Sequence, residues 1–495
     1  MKRPTQKIRG FAITALAYFL SFCGYCVENP PADKIDQFFK NWNRPDSPGA
    51  AIVIVKDAGI VFQRSYGAAN LEHGIPITAQ TVFDIGSVSK QFTGLAVAML
   101  VERGKLSLDD DIRKYLPDMP DFGQVITVRH LLFHTAGIPD WPNLLVLSGT
   151  APEEIITLGT ILDLLRRQTA LEFRPGDDHA YSSSGYNLLA AIIAKATGQS
   201  FRAWTDANLF RPLQMDHTHV CEDPAEVVPN RADSYVPEAS NFRRMVSQLS
   251  APGAGSVLTS TEDMGKWLIN FETAKVGGKK ALAMMQRSGK LNNGADVEYG
   301  FGIRVSKWSR YRGMTVLSHR GDWAGYHSFM MSIPEERFAL ALFSTAADLE
   351  PLGLAVQVVD LYLGNSLGQE ATPESQKSPL TTSSPMKLTS KQLAAYVGDY
   401  WNDELRVLFR VEIRGDQLVT WHRLTGWARM LPTGTDSFRT DAQPPIVGSA
   451  RPVSIIQFTR SANTEVNGMK LAIARGRIRN PRIFSRVSLS KAQSK

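Results

Sequence analysis

Apolar runs of strand length appear near residue 50 and again near residue 340. Ala51-Ile52-Val53-Ile54-Val55 reads as one strand, and Phe329 to Ile333 and Phe338 to Phe343 read as a hairpin around Pro334-Glu335-Glu336-Arg337. Helical spacing lies between them. Phe92, Leu95, Ala96, Met99 and Leu100 fall on one helical pattern, with Gly104 in a C-cap position. Tyr186 to Ala196 predicts another helix, closed by Gly198.

Both patterns stop at 367–387, a stretch rich in Pro, Ser, Thr and Gln without aromatics, which reads as a linker. Downstream the grain changes to short alternating runs. They span Leu405 to Ile413, Gln417 to Trp421, Ala428 to Leu431, Ser437 to Thr440, Ile455 to Thr459, Met469 to Ala474 and Ile483 to Val487. Turn residues such as Arg414-Gly415-Asp416 and Asn467-Gly468 separate them. About seven or eight strands in roughly 100 residues predict a small β-barrel or sandwich. Length and composition fit two domains, expected at 30–366 and 388–492.

The N-terminus bears on location. Lys2, Arg3, Lys7 and Arg9 precede an apolar run from Phe11 to Cys26, the layout of a secretory signal peptide. The run falls short of the ~20 residues that span a bilayer. A signal peptide over 1–26, cleaved before Val27, predicts a secreted or periplasmic protein. A lipid anchor at Cys23 or Cys26 is opposed by bulky Phe22 or Tyr25 before the cysteine. Membrane association through an uncleaved N-terminal segment is the other reading.

Cleavage there changes the charge picture. Removing residues 1–26 takes away four positive charges and no negative ones, lowering the net charge from +7 to +3. That is too mild to argue for nucleic acid. Of three cysteines only Cys221 would remain, so no internal disulfide forms in the mature monomer. A core this large needs none.

The candidate chemistry begins at Phe83-Asp84-Ile85-Gly86-Ser87-Val88-Ser89-Lys90. A serine hydroxyl needs a base beside it to act as a nucleophile at neutral pH. Positions i and i+3 share a helix face, so Lys90 can reach the Ser87 hydroxyl. At a helix start, free N–H groups and the dipole also favour a developing oxyanion. Ser-x-x-Lys recurs at Ser384/Lys387 and Ser488/Lys491, but the former contains Pro385 and the latter lies four residues from the C-terminus. Only the first is followed by a helical pattern.

Further segments accompany it in order. They are Ile126-Thr127-Val128-Arg129-His130-Leu131-Leu132-Phe133-His134-Thr135-Ala136-Gly137; Phe173-Arg174-Pro175-Gly176; Tyr181-Ser182-Ser183-Ser184-Gly185-Tyr186-Asn187; Gly253-Ala254-Gly255-Ser256; Tyr299-Gly300-Phe301-Gly302; and His319-Arg320-Gly321-Asp322-Trp323. In this order they closely resemble the class C β-lactamase-like serine hydrolases. That superfamily also holds penicillin-binding proteins, D-alanyl-D-alanine carboxypeptidases, D-aminopeptidases and esterases. The resemblance runs from about residue 35 to about residue 362. It implies an α+β fold: an antiparallel sheet flanked by helices, with a mostly helical second region. Tyr396-Val397-Gly398-Asp399-Tyr400 and Phe484-Ser485-Arg486-Val487 resemble the lipocalin-like C-terminal domain carried by some of these hydrolases. Such a domain is expected to cover or restrict the cleft; packing alone, or support of an oligomer, is the blander expectation.

The resemblance assigns roles. Ser87 stands as the acylated nucleophile and Lys90 as the partner that lowers its proton affinity. Tyr181 fills the tyrosine of the Tyr-x-Asn motif and would relay protons. His319 opens the third motif, and Lys90 and His319 together would stabilise a Tyr181 phenolate. Gly321 lets substrate lie against the strand. The Asp322 N–H would join that of Ser87 as the oxyanion hole, each donor being worth about 3–4 kcal/mol. Whether Lys90 or Tyr181 is the base stays open, and the pair is assigned jointly.

Two departures bear on substrate. Ser183 replaces the motif's asparagine, whose amide donates and accepts at once. His319 replaces the lysine found in many relatives, removing a fixed charge for a substrate carboxylate. Arg320 should alternate to the opposite strand face. Both departures favour peptidase or esterase activity, on D-amino-acid peptides or esters, over efficient β-lactamase activity. The alternatives are an acyltransferase, a weak β-lactamase, and a non-catalytic protein that binds penicillin or peptidoglycan fragments. No cofactor or metal is expected. His130 and His134 have a zinc-compatible spacing, but Leu131 stands where His-Glu-x-x-His needs its glutamate. Asp109-Asp110-Asp111 reads as a cap, and Gly253-Ala254-Gly255-Ser256 as a backbone turn beside the cleft.

Overall fold

β1 (Ala50–Lys56) is apolar throughout because both its faces are covered. Ala51, Val53 and Val55 enter one core cluster, while Ala50, Ile52 and Ile54 enter another. This computed structural model describes residues 31–151, 153–364, 388–441, 454–473 and 481–487. The segment expected to be a signal peptide, 1–26, and the expected linker, 367–387, lie outside the described residues.

β1 is the fifth strand of a six-stranded antiparallel sheet. With β2 (Gly59–Tyr66), β3 (Arg304–Trp308), β4 (Met314–Trp323), β5 (Tyr326–Ile333) and β6 (Phe338–Ser344), the order is β3-β4-β5-β6-β1-β2. The expected hairpin is β5–β6, with Ile333 opposite Phe338. One face is covered by α1 (Ala32–Phe39), through Ile35 and Phe39, and by the C-terminal helix of this region. The other face meets α5 (Thr261–Thr273), and the same core cluster takes in the helices beyond it that carry the site: α2 (Lys90–Glu102), α3 (Trp141–Ser148) and α4 (Ser183–Thr197). The covering helix on the first face is α6 (Pro351–Leu363), with Leu354, Ala355, Val358 and Val359 turned inward. Burying each such large side chain stabilises by about 1.5–3 kcal/mol.

α2 is buried at every residue from Lys90 to Leu100, so it runs through the middle of the core. Its last turn ends at Glu102, with Gly104 just beyond at φ +66°. α4 begins three residues before the predicted helix and ends at the left-handed Gly198.

The C-terminal strands close on themselves. They are β7 (Gly398–Asn402), β8 (Val407–Arg414), β9 (Gln417–His422), β10 (Gly426–Gly434), β11 (Ser437–Thr440), β12 (Ser454–Arg460), β13 (Val466–Ile473) and β14 (Arg482–Val487). Each pairs with the next, and β7 pairs with β14 through Tyr400 opposite Arg486, making a closed eight-stranded barrel. Closure leaves no free sheet edge. Tyr400, Phe409, Phe438, Phe458 and Phe484 fill it. The chain is therefore a mixed α/β unit followed by a barrel. Among the described residues no helix is long and apolar enough to cross a membrane.

Candidate active site

Ser87 sits in a 3-10 turn, Gly86–Ser89, that leads directly into α2. Asp84 steadies the turn by accepting a hydrogen bond from the Gly86 N–H at 2.9 Å. Burial pushes the Asp84 carboxyl up from its ordinary range. Strand β4 runs hard against this turn. A Cβ on Gly321 would meet Ile85 O at 2.1 Å and the Ser328 hydroxyl at 2.3 Å, and would lie 3.0 Å from Ser87 N. A Cβ on Gly86 would lie 3.0 Å from Asp322 N. Only glycine at both points lets the two backbones touch, and the Ser87 and Asp322 amides meet at that contact.

Lys90 has no exposed surface. Its Nζ donates to Ser87 Oγ at 3.0 Å, to Ala254 O at 2.9 Å and to Ser183 Oγ at 3.4 Å. The cation also lies over the rings of Tyr181 (4.9 Å) and Tyr186 (5.7 Å). The turn that offers Ala254 O is itself held: Asn187 of α4 donates to Ala251 O and Pro252 O, and Thr93 of α2 donates to Gly253 O. Gly253-Ala254-Gly255-Ser256 thus serves the cleft as a backbone turn.

Tyr181 is pinned on both sides by one residue. Ala180 N–H donates to His134 O at 3.0 Å, and Ser182 N–H donates to His134 Nδ1 at 3.1 Å. The His134 ring lies 4.4 Å from the Tyr181 ring. His134 has φ +57°, a left-handed conformation uncommon outside glycine. Because Nδ1 accepts from an amide, the ring carries its proton on Nε2. His130 is occupied elsewhere, accepting from Thr127 N–H in a capping box at the start of Val128–Leu132. The two histidines do not share a helix face.

His319 is buried beside Lys90, and burial together with that cation pulls its pKa down to about 3. Its Nδ1 lies 2.7 Å from Arg320 O, which can only accept. The neutral ring therefore has its proton on Nδ1, and Nε2 accepts from the Tyr299 hydroxyl at 2.8 Å. Tyr181 and His319 rings are 6.0 Å apart. The two His319 ring nitrogens are taken by Tyr299 and by Arg320 O. Burial holds the Tyr299 phenol well above its usual range.

Ser183 opens α4, its N–H donating to Asp140 Oδ1 at 2.7 Å. Ser184 fixes the start of α3 by donating to Pro139 O and accepting from Trp141 N–H. Arg320 points away from His319, as alternation requires, and pairs with Asp322 and Glu350. Asp322 also pairs with His327, and these partners pull its carboxyl down.

Ser87, Tyr181, Ser183 and Asp322 open together on a cavity of about 350 Å³. Its walls are mainly apolar, with Trp141, Leu145 and Val146 of α3 on one side and Met245, Trp323 and Tyr326 on another. Trp141 and Trp323 stand 6.0 Å apart. Asp140 and Asp322 are its carboxylates, and no lysine or arginine is among its lining residues. Sequence reasoning passed over Asp84, Asp140 and Tyr299, and gave His134 no part. Tyr299-Gly300-Phe301-Gly302 was visible as a motif, but nothing in its spacing points to His319.

A serine-bearing turn at a helix start, a buried lysine bonded to it and a facing strand define a penicillin-binding-protein-like serine hydrolase scaffold. The family model described as Beta-lactamase matches residues 34–361. The chain belongs to the beta-lactamase family. It is 28% identical over 316 residues to penicillin-binding protein 4* of Bacillus subtilis (strain 168), covering 59% of this chain and 67% of that protein. The chain spans about two thirds or less of the length of the curated relatives it matches. In fold it is similar to the octameric penicillin-binding protein homologue from Pyrococcus abyssi, with a TM-score of 0.59, 22% identity, and coverage of 92% of this chain and 100% of that one. It is also similar in fold to the D-amino acid amidase of Ochrobactrum anthropi SV3, with a TM-score of 0.57, 23% identity, and coverage of 68% and 99%.

Proposed function

We propose that the chain hydrolyses esters or D-amino-acid amides through an acyl-enzyme on Ser87. The preferred substrates carry an apolar acyl group and no free carboxylate beside the scissile bond. The observation that carries this is the 3.0 Å bond from buried Lys90 to Ser87, at the edge of a mainly apolar cavity without a cationic lining residue.

In this mechanism Ser87 Oγ attacks the substrate carbonyl and its proton passes to the Lys90–Tyr181 pair. The oxyanion forms where the Ser87 and Asp322 amides meet, a preorganised donor pair in a partly dry site. The same pair returns the proton to the leaving amine or alkoxide. Water then releases the acyl group with the roles reversed. His319 is neutral and offers no charge to a carboxylate, and the Asp322 carboxylate on the cavity wall is already paired with Arg320 and His327. Ser183 contributes one hydroxyl beside Lys90. The fold likeness to a D-amino acid amidase supports including D-amino-acid amides among the candidates. The basic and then apolar N-terminus supports export, which N-terminal sequencing of the mature protein would check.

The test is a panel of p-nitrophenyl esters, D-amino-acid amides, a D-Ala-D-Ala peptide and a chromogenic cephalosporin, with Ser87→Ala as control. Ester or D-amide hydrolysis should lead, and a fluorophosphonate should label Ser87. Turnover retained in Ser87→Ala, or labelling of Ser182 instead, would overturn the assignment. A cephalosporin faster than every ester and amide would overturn the substrate class.

A further inference from the structure

The C-terminal barrel contributes nothing to the cavity lining, which comes entirely from residues 86–347 among the described residues. Its contacts fall instead on the back of the wall that holds the acyl group.

That wall is α3 and the loop after it: Trp141, Leu145 and Val146, then Thr150 and Ala151. α3 is short and ends at left-handed Gly149, so its last carbonyls lack helical partners. Gly149 N–H reaches Val146 O and Thr150 N–H reaches Leu145 O. Leu147 O is satisfied from outside, by Nε2 of His422 on barrel strand β9, at 3.0 Å. A carbonyl accepts only, so His422 carries its proton on Nε2. Burial lowers its pKa to about 4, which keeps the ring neutral and the bond intact at working pH. Phe409 stacks on its other side with ring centroids 4.5 Å apart.

The approach is close. A Cβ on Gly149, at φ +81°, would lie 2.9 Å from the Arg423 Cβ and 3.3 Å from His422 Nε2. Arg423 also pairs with Glu154 at 3.2 Å, and the same Glu154 oxygen accepts from the Ala151 N–H at 2.9 Å. One barrel turn thus grips both the helix end and the loop of the pocket wall. A second anchor prevents rocking. Arg482 of β14 pairs with Glu172 at 2.6 Å, both side chains 4% exposed, and Glu172 N–H donates to Gly137 O just before α3. A buried pair of this kind is strongly destabilising to break from one side.

We infer that His422 is a positioning residue for substrate selection: through Leu147 O it fixes α3, and so sets the width of the acyl pocket without touching substrate. The barrel is then the outer support of the specificity wall. This rests on the hydrolase reading above, but one of its readouts does not.

The experiment uses the full chain and three variants: His422→Ala, His422→Gln and Gly149→Ala. Glutamine can return an N–H donor to Leu147 O, whereas Gly149→Ala pushes the barrel away from the other side. Steady-state kinetics are measured with p-nitrophenyl acetate and p-nitrophenyl phenylacetate. Hydrogen exchange is followed in the peptide covering 141–151.

His422→Ala and Gly149→Ala should raise KM for the phenylacetate about tenfold with kcat little changed, the scale of a small change in an apolar pocket. The acetate should keep its kcat/KM within about twofold. Exchange in 141–151 should quicken, and His422→Gln should restore both readouts. Parallel losses on both esters, unchanged selectivity, or unchanged exchange in 141–151 would overturn the inference. If the wild type neither turns over esters nor labels at Ser87, the hydrolase reading has failed, and exchange in 141–151 alone then decides the support of α3.

Discussion

The Tyr299 hydroxyl donates to Nε2 of His319 across 2.8 Å, while Nδ1 of the same ring donates to Arg320 O. Both nitrogens are spent, so the ring is a fixed neutral group beside Lys90, and in the proposed mechanism it positions rather than moves a proton. Tyr299→Phe removes one donor and little volume. It frees Nε2 to turn toward Tyr181 or water. We predict a loss of about tenfold in acylation by an amide, less with an activated ester, and a shifted acid limb of the pH–rate profile. Unchanged profiles on both substrates would refute a role for this bond.

Two buried neutral histidines give stability a pH dependence of definite sign. His319 is held down to about 3 and His422 to about 4, each below the ordinary value near 6.5. In the unfolded chain both bind protons as pH falls through about 6.5, while the native chain resists until about 3 or 4. Protons therefore favour the unfolded state, and stability contributed by the neutral rings falls from pH 6.5 downward. The melting temperature should drop over this window. His422→Gln, which cannot titrate, should flatten that drop between pH 6.5 and about 4 relative to wild type. An equally steep drop in the variant would show that His422 is not the titrating group.

Ser183 leaves its position beside Lys90 at 3.4 Å filled by a single hydroxyl. Asparagine there would present an acceptor to Lys90 and a donor to a substrate amide at once. Ser183→Asn should raise cephalosporin acylation relative to p-nitrophenyl acetate about tenfold, the worth of one recovered hydrogen bond to a neutral amide. A ratio that stays constant would mean that position 183 does not govern lactam recognition.

The order of motifs made the candidate site's grouping readable: Ser87 and Lys90 are local to one turn, and Tyr181, Ser183 and Gly321 lie in segments whose composition is unusual. The sheet was readable because β1, β5 and β6 are buried on both faces and so lose the polar alternation that marks an exposed strand. The barrel was readable as strands, since alternation survives in Val407, Phe409 and Val411. Its closure was not, because pairing of β7 with β14 joins residues more than 80 apart and leaves no local trace. The same limit hid Tyr299–His319 and His422–Leu147. Each is a bond between ordinary residues brought together only by packing. Asp140 was hidden for another reason: its carboxylate caps α4 through Ser183 N–H, whereas a cap read from sequence lies next to the helix it serves.

Gly321 has no room for a side chain. Its Cβ would strike Ile85 O at 2.1 Å, a backbone atom that cannot swing aside. Gly321→Ala should move β4 off the Ser87 turn and separate the two oxyanion amides. We expect destabilisation of about 1–3 kcal/mol from overpacking, and a loss of acylation about 10²–10³-fold from the spoiled oxyanion site. Thermal melting and acylation rate measured together check this. A variant as active and stable as wild type would remove β4 from the oxyanion site.

The proton pathway is separable from the scaffold that holds it. Lys90 and Tyr181 touch as cation and ring at 4.9 Å; Lys90 bonds Ser87, and Tyr181 lines the same cavity as Ser87. If they move one proton as a unit, Lys90→Ala and Tyr181→Phe should each cost nearly as much as the double variant, as in other catalytic groups that act together. His134 belongs to a different category. It accepts from Ser182 N–H through Nδ1 and from Ala180 N–H through its carbonyl. Replacing it by alanine keeps the carbonyl but removes the ring acceptor, so Tyr181 loses half of its clamp. His134→Ala should therefore slow amide acylation, and its effect should vanish in a Tyr181→Phe background. It should also relieve strain at φ +57° only slightly, since alanine is no better suited to that conformation. His134→Asn, a residue that tolerates the left-handed region and offers a side-chain acceptor, should recover part of the rate. Acylation rates of these variants with one amide and one activated ester decide the matter, because the amide's leaving group needs a proton and the ester's hardly does. An amide rate unaffected by Tyr181→Phe would leave Lys90 as the sole base, and would reduce His134 to packing.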